Sequence, residues 1–373
     1  LRDMTPEQIF SNYARHIGIG GIAMAGVIGI IRSSSIIKQA LGLAVSELGG
    51  KKKGDGVVER TQRDISMKFI LSGIISVLIA TFVFFQFGVL GNLTHTIIAT
   101  LIVFVISFLF TTVAANAIAI VGSNPVSGMT LMTLILSSLV LVSAGLSGTS
   151  GMMAAMIIGG VVCTALSMAG GFITDLKIGY WLGSTPAKQE TWKFLGTLVS
   201  AATVGGVILI LNQTYGFTTG QLAAPQANAM AAVIEPLMSG SGAPWALYAI
   251  GAILAVVLNF CKIPALAFAL GMFIPLDLNT PLLIGGAISW YVGSRSKDQS
   301  LNSARLEKGT LLASGFIAGG ALMGVVSAAL RFGGINLMNE EWASSNAAEI
   351  LAVVMYLVMI AYLTFNSLNA KKE

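Results

Sequence analysis

Residues 93–121 read LTHTIIATLIVFVISFLFTTVAANAIAIV, and no Asp, Glu, Lys or Arg interrupts them. A helix rises about 1.5 Å per residue, so such a run reaches roughly 43 Å, more than the ~30 Å hydrocarbon core of a bilayer. Apolar side chains occupy every face of that helix rather than one stripe, the pattern of a segment surrounded by lipid or by other apolar helices.

The rest of the chain repeats this pattern. Of 373 residues, 55% are apolar and only 10% are Asp, Glu, Lys or Arg, against about 25% charged in a soluble domain. Mean hydropathy is +0.84. These values exclude a soluble enzyme, a nucleic-acid-binding module and a disordered linker. Apolar runs fall at residues 16–31, 67–89, 93–121, 129–146, 151–174, 194–211, 243–260, 263–276, 280–292, 310–330 and 350–368. The fold class is therefore all-α, a polytopic transmembrane bundle of about ten or eleven membrane segments, some discontinuous. Cys163 and Cys261 lie far apart in sequence, as do His16 and His95, so neither pair has metal-ligand spacing or implies a disulfide framework. No metal or other cofactor is expected. The net charge of +5 does not call for nucleic acid, because the cations sit in short loops.

Those cations orient the bundle. Residues 49–64 (with Lys51, Lys52, Lys53, Arg60 and Arg63), 175–193 and 295–308 and the Lys371-Lys372 tail hold nearly all of the loop Lys and Arg. Short cytoplasmic loops carry such an excess, so 49–64 reads as a cytoplasmic basic loop and the C-terminus as cytoplasmic. Residues 212–242 contain no Lys or Arg and read as an external or re-entrant loop. Parity then requires residues 263–276 to cross between two cytoplasmic ends, although 14 residues rise only about 21 Å. That segment is bounded by Pro264 and Pro275. It reads either as a discontinuous helix lining a cavity or as a tilted, buried helix.

The 43 glycines lie mostly inside the apolar runs, where small residues let helices approach closely. Stripes at helical spacing include Gly21, Ala25 and Gly29, then Ala155, Gly159, Cys163, Ser167 and Gly171, and Gly315, Gly319, Gly320, Gly324 and Ala328. Packing within the bundle and a homodimer interface are the two uses of such stripes.

Several stretches are more specific: Ser123-Asn124-Pro125-Val126-Ser127-Gly128-Met129-Thr130, Asp175-Leu176-Lys177-Ile178-Gly179-Tyr180-Trp181 followed by Gly183-Ser184-Thr185-Pro186, Ala224-Pro225-Gln226-Ala227, Ala243-Pro244-Trp245, Ile274-Pro275-Leu276-Asp277-Leu278-Asn279-Thr280-Pro281, and Ala313 to Gly324. In this order the set resembles the oligopeptide transporter family, specifically bacterial members related to the yellow stripe-like metal-chelate carriers, over about residues 6–330. The resemblance implies a single transporter domain over residues 1–373. It also implies a secondary carrier of small peptides or metal–chelator complexes, commonly driven by protons, with about sixteen helices. Eleven segments and a first residue that is Leu1 rather than Met lead to the expectation that the first helices of the family fold come from a segment not shown or a separate chain.

The resemblance marks Asp175, Lys177 and Tyr180 as a signature turn. Ionisable groups at membrane depth line transport paths, and ordinary interfacial pairing is the competing reading. Asn124-Pro125 suits a helix start, whose positive end could meet a substrate carboxylate, with Ser127, Gly128 and Asn116 close by in sequence. Asp277 stands beside the proline break. Gln226 and Asn228 supply amides in an otherwise small-residue loop. No enzyme activity is expected, nor is ATP hydrolysis, since no phosphate-binding Walker loop occurs. The expected function is proton-coupled import of a small peptide or metal chelate by alternating access, in a bacterial inner membrane. An ion channel, or a membrane scaffold needing a partner chain, is the alternative.

Overall fold

The structure, a computed structural model, describes residues 4–32, 34, 35, 38, 39, 42, 59–121, 126–217, 225–239, 244–274, 276–336 and 339–371. Every regular element among these residues is helical. The first helix, α1, runs over Pro6–Arg32 and contains a π-helical turn at Phe10–Ala14. It is followed by α2 (Met67–Phe84, passing into a π-helical turn at Phe85–Leu90), α3 (Leu93–Val121), α4 (Val126–Ser143), α5 (Gly148–Leu182) and α6 (Pro186–Thr214). Next come α7 (Pro225–Met238), α8 (Trp245–Phe260), α9 (Ala265–Phe273), α10 (Leu276–Ser294), α11 (Gln299–Phe332) and α12 (Asn346–Leu368). Starts are written in the sequence: Ser66, Asp298 and Ser345 each accept an N–H from the first turn, and Thr5 closes a capping box with Gln8.

Among the described residues, seven helices are long and apolar enough to span a bilayer: α1, α2 with its flanks, α3, α5, α6, α11 and α12. The shorter α4, α8, α9 and α10 account for the other apolar runs, so each predicted segment is a helix. Differences lie at the ends and in one loop. Helix α5 continues through Leu182 and α6 begins at Pro186, so the polar stretch 175–193 is mostly helical. Hydropathy marks where a helix leaves hydrocarbon, whereas backbone hydrogen bonding carries it further into the polar zone. Residues 225–238, read as part of a loop, form α7, with Val233, Ile234 and Met238 almost wholly buried.

The chain divides into two compact units, residues 1–197 with 225–275, and residues 198–224 with 276–373. In the first unit α5 is held between α3 and α4, α7 lies on α4 and α5, and α1 packs chiefly on α8 and α9 while touching α4. One apolar cluster joins Phe85, Phe110, Leu134, Ile158, Leu166 and Ile234, and a second joins Ile19, Ile22, Leu131, Val233, Tyr248 and Phe273. Outward side chains such as Val77 and Ile79 stay more than half exposed, as lipid-facing residues do.

Glycine sets the approach of α1 to its neighbours. A Cβ on Gly20 would strike the Tyr248 carbonyl, and one on Gly251 would strike the Ile17 carbonyl, so α1 and α8 meet backbone to backbone. On the α9 side, a Cβ on Gly21 would stand 2.9 Å from the Ala269 Cβ and one on Gly18 3.0 Å from the Phe273 nitrogen. Of the stripes, Gly21 and Gly159 are packed, the latter against Leu134, while Gly29, Gly171, Gly315, Gly319, Gly320 and Gly324 meet no atom within 4 Å.

In the second unit α10, α11 and α12 pack on one another. The Ser367 hydroxyl lies 2.8 Å from where a Gly309 Cβ would be, Phe316 meets Tyr362 edge-on at 6.0 Å, and Arg305 Nε donates to the Leu368 carbonyl at 3.2 Å.

Candidate functional site

The signature turn is a fastened corner between α5 and α6. Gly183 ends α5 at φ +69°, where its N–H returns to the Tyr180 carbonyl at 3.2 Å and Ser184 N–H to the Gly179 carbonyl at 2.8 Å. Pro186 then opens α6, a first helical position where its missing N–H costs nothing. Residues ahead of α2 lace across this corner. Arg60 donates to Thr185 Oγ1 at 3.0 Å and to the Gly183 carbonyl at 2.8 Å. Ala187 N–H donates to the Arg63 carbonyl and Ile65 N–H to Glu190 Oε2, both at 2.8 Å.

Asp175 lies two turns before the end of α5, and its carboxylate is ion-paired with Lys193 on α6. Gln189 reaches the Asp175 carbonyl at 3.4 Å, and its amide fills the space where a Gly179 Cβ would be. Lys193 also sits 5.6 Å above the Phe172 ring. Lys177 does not pair with Asp175. It lies over Tyr180 and Trp181, 5.5 and 5.3 Å from their centroids. Those two rings are 75% and 70% exposed, the placement of interfacial aromatics. The corner can therefore hold a partly exposed ion pair across two helices, with Lys177 cushioned on aromatic faces.

A second locus is the pair of helix breaks. Helix α9 has nine residues, about 14 Å of rise and under half of a bilayer core. It starts after Pro264 and a turn in which Lys262 takes φ +60°, the left-handed position usually given to glycine. Helix α4 starts at Val126, and its first turn lies against the first turn of α9: a Cβ on Gly128 would be 3.0 Å from the Leu266 Cδ1. The starts of α4 and α9 thus meet at Gly128 and Leu266.

The predicted residues distribute unevenly over these loci. Asp175, Lys177 and Tyr180 share the α5–α6 corner. Ser127 is in the first turn of α4 and Gln226 and Asn228 in the first turn of α7, which packs on α4. Asn116 is half-buried near the end of α3. Asn124 lies outside the described residues. Asp277 opens α10, in the second unit.

A third locus was passed over in the sequence. His16, read as a residue of a helix end, puts its ring 5.8 Å from Tyr248, and Tyr248 meets Trp245 edge-on at 5.9 Å. Tyr248 is only 9% exposed. Its hydroxyl, His16 Nδ1 and Arg15 Nε are buried with no hydrogen-bond partner among the described residues. The available signal was Tyr248 within the apolar run 243–260 and the Arg15-His16 pair at the edge of the run 16–31.

Comparison with known proteins follows this geometry. Residues 1–331 match the family profile described as "OPT oligopeptide transporter protein". A protein of Haemophilus influenzae named "Putative oligopeptide transporter" is 24% identical over 417 aligned positions, covering 98% of this chain and 65% of that protein. The chain thus spans just under two thirds of the length of that curated relative. No solved structure matches the chain. With its apolar spans and a family match over most of its length, this integral membrane chain belongs to the oligopeptide transporter family.

Proposed function

We propose that the chain builds much of the transport path of a secondary active carrier that imports small peptides or metal–chelator complexes, coupled to protons, by alternating access. The observation that carries this reading is the meeting of the α4 and α9 starts at Gly128 and Leu266. Each helix start presents N–H groups unpaired within its own helix, and each dipole favours an anion at that end. In carriers, discontinuous helices of this kind point their N-termini at anionic substrate groups. Small peptides supply such a group in their C-terminal carboxylate.

In this reading Ser127, in the first turn of α4, and Gln226 and Asn228, in the first turn of α7, are candidate substrate positions, with Asn124 and Asn116 as further candidates from the sequence. Asp277, at the start of α10 in the second unit, is a separate candidate from the sequence. The Asp175–Lys193 pair is the coupling element: protonation of the carboxylate would release Lys193 and loosen the α5–α6 corner. The cation-rich loops and the C-terminus face the cytoplasm across a bacterial inner membrane, as the Lys and Arg distribution favours.

The test is uptake by proteoliposomes containing the purified protein, with a labelled dipeptide or metal chelate outside and an inward proton gradient. Saturable uptake that collapses on adding a protonophore is expected. Absence of gradient-dependent flux overturns the reading, and large single-channel currents would replace the carrier by a channel.

A further inference from the structure

We infer that Lys177, Tyr180 and Trp181 form a headgroup site for an anionic phospholipid, at the level where α5 leaves the hydrocarbon. The apolar run 151–174 rises about 36 Å as a helix, enough to cross a hydrocarbon core of about 30 Å. Helix α5 continues to Leu182, so Lys177 stands one turn beyond that run, in the layer of lipid phosphates. Side chains on a helix lean toward its N-terminus, which brings the rings of Tyr180 and Trp181 back over the turn that carries Lys177. The ammonium lies 5.5 Å from the first ring centroid and 5.3 Å from the second. All three residues are exposed, and so is Leu182 beside them.

The ammonium has rings for neighbours but no carboxylate. On the end of α5 and the start of α6, Asp175 is paired with Lys193 and Glu190 accepts the Ile65 N–H. Lys177 itself forms no ion pair among the described residues. The charge around it is positive on balance. Around the start of α2, Arg60, Arg63 and Lys68 outnumber Glu59 and Asp64, and Lys188 adds an exposed cation in the first turn of α6.

Chemistry then selects the ligand. An ammonium carries three N–H donors. The ring faces attract it through their quadrupoles, yet leave N–H groups to point at an oxygen acceptor. The Tyr180 hydroxyl and the Trp181 indole N–H are further donors, on rings whose apolar bodies suit the boundary between acyl chain and headgroup. A lipid phosphate offers the matching acceptors and charge. Zwitterionic headgroups bring a cation of their own, which this positive corner repels. A phosphodiester to an uncharged alcohol, as in phosphatidylglycerol, does not. The site is independent of the transport reading, since it needs only that α5 spans the bilayer.

The test is tryptophan quenching in phosphatidylcholine nanodiscs that contain a minor fraction of lipid brominated near the glycerol end of its acyl chains. That lipid is either phosphatidylglycerol or phosphatidylcholine. The Trp181 contribution is the difference between each protein and its own Trp181→Phe counterpart. Brominated phosphatidylglycerol should quench this contribution at least two-fold more than brominated phosphatidylcholine. Lys177→Gln should remove the excess, and Lys177→Arg, which keeps the charge and the ring contact, should retain it. Both variants should melt with wild type, because the Lys177 side chain is exposed. The comparison of the two lipids in the wild type decides the matter even where a variant fails to fold. Equal quenching by both lipids, or an excess that survives Lys177→Gln, overturns the site. Loss of the excess on adding millimolar inorganic phosphate at constant ionic strength would assign the site to a soluble anion and overturn the lipid.

Discussion

The Cα of Gly251 on α8 lies against the carbonyl of Ile17 on α1 so closely that no side-chain atom fits between them. Gly20 meets Tyr248 in the same manner from the other helix. A methyl group at either position must push two backbones apart, and overpacking of this kind costs about 1–3 kcal/mol. Gly251→Ala and Gly20→Ala should each lower the thermal midpoint in detergent by several degrees. Gly29→Ala, where nothing lies within 4 Å, should leave it unchanged or raise it, since alanine favours a helix over glycine by up to ~1 kcal/mol. Equal behaviour of all three variants would contradict the seam.

Arg60 makes two hydrogen bonds to the α5–α6 corner, to Thr185 and to the Gly183 carbonyl. Both are exposed, so their removal in Arg60→Ala should cost only about 1 kcal/mol overall. The local effect should be larger. Hydrogen exchange at Ser184 and Ala187 should accelerate several-fold, with exchange in the buried part of α5 around Ile158 unaffected. Unaltered exchange at the corner would show that Arg60 does not hold it.

Lys262 occupies left-handed backbone at φ +60° with Ile263 N–H closing onto the Leu258 carbonyl at 2.9 Å. That conformation costs an L-residue with a Cβ about 1–2 kcal/mol. Lys262→Gly should therefore stabilise the protein by up to ~1 kcal/mol, and Lys262→Ala should not. A melt in which glycine and alanine behave alike would remove the strained turn before α9.

The side chains of Asp175 and Lys193 are 48% and 31% exposed. Pairs this open contribute roughly 0–1 kcal/mol, so Asp175→Asn and Lys193→Met should fold with near-native melting. If the pair couples proton entry to opening of the corner, both variants should slow proton-driven uptake at least five-fold. Native uptake rates in both would exclude the pair from coupling.

How far the sequence reading carried depends on the physics behind each signal. Leu93 to Val121 was legible because a run with no charge has only one stable environment, and every apolar run is a helix. Helix α7 was not legible as one: residues 225–238 mix Ala, Asn and Gln with a single apolar face, and only the Val233, Ile234 and Met238 contacts reveal that the face is buried. The ends of α5 and α6 were misplaced because hydropathy reports solvent, not hydrogen bonding. Asp175 is a transport-path candidate with interfacial pairing as the competing reading, and its ion-pair partner lies 18 residues onward, on the next helix, where sequence proximity does not point. Of the packing stripes, Gly21 and Gly159 have neighbours, while Gly315 to Gly324 have none within 4 Å.

The sequence by itself determined that this chain lives in a bilayer as helices, because the cost of burying polar backbone in lipid leaves apolar runs no other form. It did not by itself determine where helices break: Pro264 stands just ahead of α9, whereas Pro236 and Pro281 lie inside α7 and α10. Only the tertiary structure decided which breaks meet, setting Gly128 of α4 beside Leu266 of α9. It also decided that Tyr248, one aromatic among many in apolar runs, faces His16 with its hydroxyl unpaired. Hydropathy is a property of single residues. The pairing of distant groups depends on how closely two helices can approach, and at this seam Gly20 and Gly251 allow that approach.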